Sequence, residues 1–350
     1  MTNENSALSI ASLRSANNFD LIRLVAASLV VFSHSFILTE GTDTHEFLYR
    51  LTAGREDLGQ LAVATFFVIS GFLITMSYES SRSVGNYLWK RLLRVFPALL
   101  ILLLLTTFVL GPIASSLSLK EYFSQSHTYT YLTNVRLFRL QYDLPGLFHD
   151  NPYPNAVNGS LWTLAYEFTC YVIVAALGAC GLLRKRWFIA LLFVVSLLPL
   201  PLQSLHQNIQ ILVMLFSYFS AGMLAYLYFP DIKFSAKYIA LACAALATSL
   251  FTPYFQTAFA VFGSYLILKL AFLKVPALQA VTRNGDFSYG IYIYAFPLQQ
   301  FIVQRWGTPL SWLQLFAISY LVTLIFAMLS WHFIEKPALQ LKRAFPARPT

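Results

Sequence analysis

Long apolar stretches recur along the whole chain, and they decide what it can fold into. Of the 350 residues, 57% are hydrophobic and 11% are charged, whereas soluble domains carry about 25% charged residues. Each stretch has roughly the 17 to 25 residues that a helix needs to cross a bilayer. About ten are expected on this basis, beginning near Leu21, Leu61, Leu92, Leu161, Trp187, Ile209, Tyr238, Gln256, Phe287 and Trp312. The sequence therefore predicts an all-α, polytopic integral membrane helical bundle.

The distribution of charge predicts which helix ends face the cytoplasm. The formal net charge is +9, and such an excess can indicate nucleic-acid binding. If the N-terminus is inside, however, most of the 24 lysines and arginines fall in cytoplasmic connections, as the positive-inside rule expects. We therefore predict cytoplasmic termini, a multi-pass protein of the cytoplasmic (inner) membrane, the lipid bilayer as partner and no nucleic acid. The basic residues left outside are Arg50, Arg55, Lys120, Arg136, Arg139 and Arg305.

The connections divide the chain into three predicted parts. Residues 1–18 form a polar cytoplasmic segment, residues 19–337 the transmembrane domain, and residues 338–350 a basic cytoplasmic tail. One connection, residues 112–159, is long, rich in tyrosine and placed outside. Its composition suits an ordered loop that stacks on sugar rings, but a cap with tyrosines at headgroup depth is an equal alternative.

Two polar residues share one face of the first predicted span. Arg23 and His34 are eleven positions apart, so they point in nearly the same direction, about 16 Å apart along the helix. Arg23 is expected near the cytoplasmic boundary and His34 in the external third of the bilayer. Singly, Arg23 could be a snorkelling anchor and His34 an interhelical hydrogen-bond partner. Two costly polar groups on one face favour a functional site.

An acidic residue is expected at a similar depth. Glu167 follows the long loop in a stretch that enters the membrane from outside, after a turn in which Ser160 lies near a helix N-cap. A carboxylate in hydrocarbon needs a partner, and the most useful one chemically is an imidazole that it could orient. A structural salt bridge or a protonated carboxyl group is the alternative.

A basic cluster precedes the third apolar stretch. Arg91 and Arg94 are three residues apart beside Lys90, so they lie close together on a helix. Guanidinium groups suit phosphates because they offer forked donors and keep their charge. A plain topology anchor is an equal interpretation.

Several other site classes lack their signatures in this sequence. It contains no Gly-rich phosphate loop, dinucleotide fingerprint, nucleophile elbow or two-histidine metal motif. The three cysteines lack metal-type spacing, so no metal is predicted.

Ordered motifs give the chain a family resemblance. It resembles membrane acyltransferase family 3, whose members include O-acetyltransferases of O-antigen, exopolysaccharides and lipo-oligosaccharides. The motifs run in order from residue 19 to residue 337: Phe19-Asp20-Leu21-Ile22-Arg23 with His34, Phe66-Phe67-Val68-Ile69-Ser70-Gly71-Phe72-Leu73, Arg91 with Arg94, Ser160-Leu161-Trp162-Thr163-Leu164-Ala165-Tyr166-Glu167, Ser288-Tyr289-Gly290-Ile291-Tyr292 and Ile334-Glu335-Lys336-Pro337.

The resemblance implies roles for five residues, and at two positions this chain departs from the family's pattern. It implies that Arg23 and His34 are the essential pair, with Arg91 and Arg94 as the second arginine motif and Glu167 as the acidic position. Many relatives carry histidine where this chain has Ala295. Many also carry an acid shortly before the Phe-Phe pair, where Val63-Ala64-Thr65 stands here. Asp57 or Glu56 could substitute for that acid, and spacing does not choose between them.

Together these features predict an integral membrane acyltransferase. It would transfer an acyl group, acetyl by family default, from cytoplasmic acyl-CoA to a hydroxyl group of an extracytoplasmic carbohydrate or glycolipid. Arg91 and Arg94 would bind the donor, and His34 would act as general base with Glu167 orienting it. An acyl-enzyme intermediate is a further possibility. The rivals are a secondary transporter, since polar residues in spans also mark transport paths, and an acyltransferase acting on a lipid or small molecule.

Overall fold

The structure, a computed structural model, describes residues 17–198, 206–275, 281–307 and 310–344. Most of the predicted N-terminal segment and the end of the predicted tail, including Arg14 and Arg348, lie outside these residues. The described residues form helices and connections without a β-strand. We number the ten longest helical segments α1 (Phe19–Glu40), α2 (Leu58–Glu79), α3 (Val84–Ala114), α4 (Gly159–Ala179), α5 (Arg186–Leu197), α6 (Gln207–Leu227), α7 (Ala236–Ser249), α8 (Phe255–Ala271), α9 (Ser288–Trp306) and α10 (Trp312–Gln340).

The predicted helical membrane architecture is confirmed. Each predicted apolar stretch falls on one of the ten helices, and six helices of the described chain, α1, α2, α3, α4, α6 and α10, are long and apolar enough to cross a membrane. The helices α5, α7 and α8 are apolar but shorter. α3 begins earlier than its apolar stretch, because Ser83 caps it by accepting a hydrogen bond from the Asn86 N–H group. The basic cluster therefore lies within α3 rather than before it.

The helices belong to two compact units, of which the first comprises residues 17–25, Ala64–Ser80 and Ile173–Gly285 in their described parts. Glycines bring α2 and α6 together in this unit. A Cβ atom at Gly71 would collide with the Phe219 carbonyl group, and one at Gly222 with the Val68 carbonyl group. Small residues at such crossings let two backbones approach closely, which is how helices gain packing contacts in lipid.

The second unit comprises Ala26–Val63, Ser81–Val172 and the described residues after 285. Its helix α9 is held by amides rather than by apolar packing alone. Gln299 donates to the Val31 carbonyl (2.9 Å) and to the Ser35 hydroxyl (2.9 Å), which joins α9 to α1. Gln300 donates to the carbonyls of Tyr153 and Ala156, both at 2.8 Å. Residues 112–159 are thereby docked on α9.

The long loop has a packed interior of its own. Tyr122, Tyr131 and Phe148 are among the largest fully buried side chains of the described protein. The Tyr122 hydroxyl donates to the Thr107 carbonyl (2.9 Å), so the loop is fastened to the end of α3. Buried tyrosines of this kind fix the loop's shape and leave other aromatic residues of the loop to face outward.

Candidate active site

A cavity of about 530 Å³ opens within the second unit. Its walls come from the end of α1, the connection to α2, the long loop, the start of α4 and the middle of α9. A pocket of this size can hold one or two sugar-sized groups, because ligand pockets of about 300 to 1,000 Å³ are usual for small molecules. The lining residues that carry the argument below are Ser33, His34, Asp43, Asp57, Ser160 and Trp162, with Tyr142, Tyr153, Tyr292 and Phe296.

His34 lies in this cavity with an unused ring nitrogen. Its Nδ1 atom is buried and has no hydrogen-bond partner among the described residues. The ring packs edge-on against Phe296, with centroids 5.1 Å apart and planes at 81°. Gly159 allows this arrangement, because a Cβ atom there would lie 2.6 Å from the Phe296 ring. Because Nδ1 is shielded from solvent, the half-buried ring lines the cavity with its other atoms.

Two carboxylates, Asp43 and Asp57, line the same cavity; the sequence offered Asp57 as one of two substitute acids and did not single out Asp43. Oδ1 of Asp57 accepts hydrogen bonds from the Gln60 N–H group (2.8 Å) and the Ser33 hydroxyl (3.3 Å). Burial raises the pKa of Asp57 although these bonds lower it. Burial and the nearby charges of Asp57 and Glu46 raise the pKa of Asp43 to about 6. Of the two candidate substitutes for the missing acid, Asp57 lines the cavity and Glu56 does not.

The predicted hydrogen bond between Glu167 and His34 is not present in the described structure. Oε1 of Glu167 instead accepts a hydrogen bond from the Tyr171 hydroxyl at 2.5 Å. Glu167 also interacts electrostatically with Arg91 and with Tyr292. Because Tyr292 lines the cavity and bonds Thr163 at 2.6 Å, Glu167 lies behind the cavity wall rather than beside His34.

The two arginines of α3 have different surroundings. Nη2 of Arg94 lies 2.5 Å from Oδ2 of Asp286, and Nη1 lies 3.0 Å from Oε2 of Glu335. Both carboxylates are buried and each has a second donor, since Ser288 donates to Asp286 and Ser330 to Glu335.

Arg91 lies against an aromatic ring. Its guanidinium lies 5.8 Å from the centre of the Tyr171 ring and is influenced by Glu167. Arg94 is neutralised by the two carboxylates that hold it, so Arg94 is poorly suited to an added phosphate.

With this geometry in view, comparison with known proteins is decisive. The model of a family described as an acyltransferase domain matches residues 17–332. The chain belongs to this acyltransferase family. The acyltransferase is 30% identical over 336 residues to an O-acetyl transferase of Shigella phage Sf6, covering 93% of this chain and 96% of the relative. It is also 30% identical over 373 residues to Nodulation protein 10 of Rhizobium leguminosarum bv. viciae, covering 95% of each. No solved structure matches it.

Several motifs of the acyltransferase meet in space although they are far apart in sequence. The second arginine motif, the stretch before Ser288 and the Ile334-Glu335 motif meet at the Arg94 ion pairs. Glu335 reaches Arg94 from a π-helical turn, Trp331–Glu335, inside α10, and such turns often occur at functional sites.

Two site residues remain, Arg23 on α1 and Ser160 at the start of α4. Arg23 lies partly buried on α1, eleven residues before His34 on the same unbroken helix. Asn158, rather than Ser160, caps the start of α4, since its side chain accepts from the Ser160 N–H group at 3.0 Å. Ser160 lines the cavity but is only 1% exposed, and its Oγ atom is buried without a partner in the described chain.

Proposed function

We propose that this protein is an O-acyltransferase of the inner membrane that transfers an acyl group, acetyl by family default, from cytoplasmic acyl-CoA to a hydroxyl group of an extracytoplasmic carbohydrate. The acceptors in view are an O-antigen, an exopolysaccharide or a lipo-oligosaccharide. One observation carries the proposal: in a chain of the acyltransferase family, a cavity of sugar size is lined by the His34 imidazole together with aromatic side chains and hydroxyl groups.

His34 is proposed as the general base. The acceptor oxygen attacks the thioester carbonyl carbon while the imidazole takes the hydroxyl proton. A carbon–oxygen bond forms, the carbon–sulfur bond breaks, and the leaving coenzyme A thiolate takes the proton back from the imidazolium. A base placed in this way typically contributes about 10² to 10⁴-fold to the rate.

The donor's phosphates are proposed to bind at Arg91. Forked charge-assisted hydrogen bonds to phosphate are about twice as strong as neutral ones. Arg94 is proposed to hold the start of α9 and the π-helical turn of α10 in place, so its contribution to the donor is indirect. Arg23 is proposed to act near the cytoplasmic end of α1, where its charge suits an anionic donor.

The contacts of Glu167 favour a different role from the one that the sequence predicted. Glu167 accepts a hydrogen bond from the Tyr171 hydroxyl and lies close to Arg91. It would therefore hold in position the Arg91 guanidinium and the Tyr292 side chain of the cavity wall. It would not orient the His34 ring, because no hydrogen bond joins the two residues in the described chain.

Reconstitution with defined substrates tests the proposal directly. The purified protein in nanodiscs would receive radiolabelled acetyl-CoA and envelope glycans from a strain that lacks the gene, and mass spectrometry would locate the added acyl group. An O-linked ester on a sugar hydroxyl is the expected product. Label that stays on coenzyme A or appears on lipid alone would contradict the carbohydrate acceptor.

A further inference from the structure

The carboxylates that line the cavity have no basic side chain opposite them in the lining. Within the described chain the lining contains two carboxylates, Asp43 and Asp57, and no lysine or arginine. An enclosed wall of this kind keeps an electrostatic potential that water at an open surface would screen. A ligand that carries its own carboxylate or phosphate would face repulsion without a compensating cation.

Asp57 is held in place by the fold, whereas Asp43 is not. Asp57 uses Oδ1 to accept from Gln60 at the start of α2 and from Ser33 of α1, which fixes its position at the wall. The Asp43 carboxylate is partly buried and makes no hydrogen bond within the described residues, although Asp57 and Glu46 lie near it. A partly buried carboxylate without donors is costly to the fold, which is the pattern expected where a ligand supplies the donors.

Two further polar atoms near the cavity lack partners in the described chain, Oγ of Ser160 at the start of α4 and Nδ1 of His34 on α1. Both atoms are shielded from solvent, so the charged groups that a ligand in the cavity meets are the half-buried carboxylates of Asp43 and Asp57. Two carboxylates at one wall suit a ligand rich in hydroxyl donors.

The remaining walls suit the faces of a sugar ring. Trp162, Tyr142 and Tyr153 line the cavity, and the two tyrosines are 43% and 36% exposed. Aromatic rings give a large apolar surface with a polar edge, which matches the C–H faces and hydroxyl rim of a pyranose. Lipid tails have no donors for Asp43, Asp57 or the acceptor atoms beside them, and so they fit this space poorly.

We propose that this cavity selects an uncharged sugar as acceptor, with Asp43 and Asp57 accepting hydrogen bonds from its hydroxyl groups and excluding uronic acids, sialic acids and phosphorylated sugars. The proposal rests on the proposed function for the identity of the reaction. Selective binding, however, can be measured without acyl transfer.

Binding of a matched pair of glycosides tests the selectivity. Nitrophenyl β-glucoside and nitrophenyl β-glucuronide differ only in a CH₂OH group against a carboxylate. Saturation-transfer NMR on the full-length protein in nanodiscs at pH 7.5 should show the glucoside binding at least tenfold more tightly. In Asp43→Asn and Asp57→Asn that ratio should fall severalfold, and in the double variant it should approach one.

Controls separate selectivity from folding. Asparagine caps helices about as well as aspartate, so Asp57→Asn should keep the start of α2 intact. Asp150→Asn removes an exposed carboxylate of the long loop, and Asp150 does not line the cavity. Its ratio should equal that of the unaltered protein.

The outcomes distinguish this proposal from the proposed function. Equal binding of the two glycosides, no binding of either, or an unchanged ratio in the double variant would overturn the selectivity. Acyl transfer to carbohydrate together with any of those results would leave the proposed function standing. Selective binding without transfer from acetyl-CoA to any envelope glycan would instead contradict the proposed function alone.

Discussion

Nη2 of Arg94 and Oδ2 of Asp286 form a buried ion pair, with side chains that are 13% and 10% exposed. The pair joins α3 to the residue just before α9, and Glu335 extends it to α10. An arginine held in this way is fixed by the fold. The resemblance to a known family treats the two arginines as one motif, while the structure gives them separate surroundings.

Arg94→Gln should therefore destabilise the protein more than it weakens donor binding. Removing one partner of a buried ion pair leaves a carboxylate uncompensated, at a cost of about 3 to 5 kcal/mol. We expect a large fall in the thermal midpoint in detergent. Arg184→Gln is the control, because Arg184 is 81% exposed and 3.5 Å from Glu79, and exposed pairs contribute about 0 to 1 kcal/mol. Equal midpoints for the two variants would contradict a structural role for Arg94.

Arg91→Gln should act on the donor instead. Losing a charged hydrogen bond to phosphate costs about 1.5 to 3 kcal/mol, so KM for acetyl-CoA should rise about tenfold or more while kcat changes little. Steady-state kinetics on purified protein gives both constants. Lys185→Gln, which removes a basic residue just before α5, should leave KM unchanged. An unchanged KM in folded Arg91→Gln would make Arg91 a topology anchor.

The helices could be predicted from the sequence because lipid imposes a simple rule. A backbone in hydrocarbon must satisfy its own hydrogen bonds, so each apolar stretch became a helix, and the eleven-residue spacing of Arg23 and His34 fell on one unbroken helix. The start of α3 was missed because its first turns are polar and an apolar window begins only after them.

The partners of polar residues could not be predicted in the same way. Depth alone suggested that Glu167 would meet His34, but Tyr171, one turn later on the same helix, donates a hydrogen bond to the carboxylate instead. Asp43 and Asp57 lie in a connection whose path no periodicity fixes. The available sequence signal for these carboxylates was a pair of acidic residues near the end of a span, followed by a helix N-cap pattern.

Glu167→Gln and Tyr171→Phe should show coupled losses. Each removes one side of the 2.5 Å hydrogen bond, so the double variant should lose little more activity than either single one. The same cycle between Glu167→Gln and His34→Ala should be close to additive, because no hydrogen bond joins those residues. Activity measured on purified variants of equal thermal stability gives both coupling energies. Strong coupling to His34 would restore the orienting role that the sequence predicted.

His34→Ala should abolish transfer while membrane insertion, yield and donor binding stay near their original levels. Loss of a general base typically lowers kcat by about 10² to 10⁴-fold. Thr39→Ala is the control on α1, because the Thr39 hydroxyl donates to helix carbonyls and Thr39 does not line the cavity. Substantial transfer by folded His34→Ala would remove the general-base assignment.

Asp43→Asn should stabilise the protein at neutral pH and not at low pH. The pKa of Asp43 is raised from 3.8 to about 6 by burial and by the charges of Asp57 and Glu46, so the folded protein favours the protonated carboxyl. Stability that depends on this proton is complete below about pH 4 and is lost as the pH rises through about 6. Asparagine avoids that loss, because it stays neutral.

The apparent thermal midpoint of Asp43→Asn should therefore exceed that of the unaltered protein at pH 7.5, and the two should converge near pH 4.5. Asp57, Glu46 and His34 lie in the same region of both proteins, so only the difference between the two curves reports Asp43. Asp150→Asn should show no pH-dependent difference, and a constant offset for Asp43→Asn across this range would place its carboxylate in water rather than in the cavity wall.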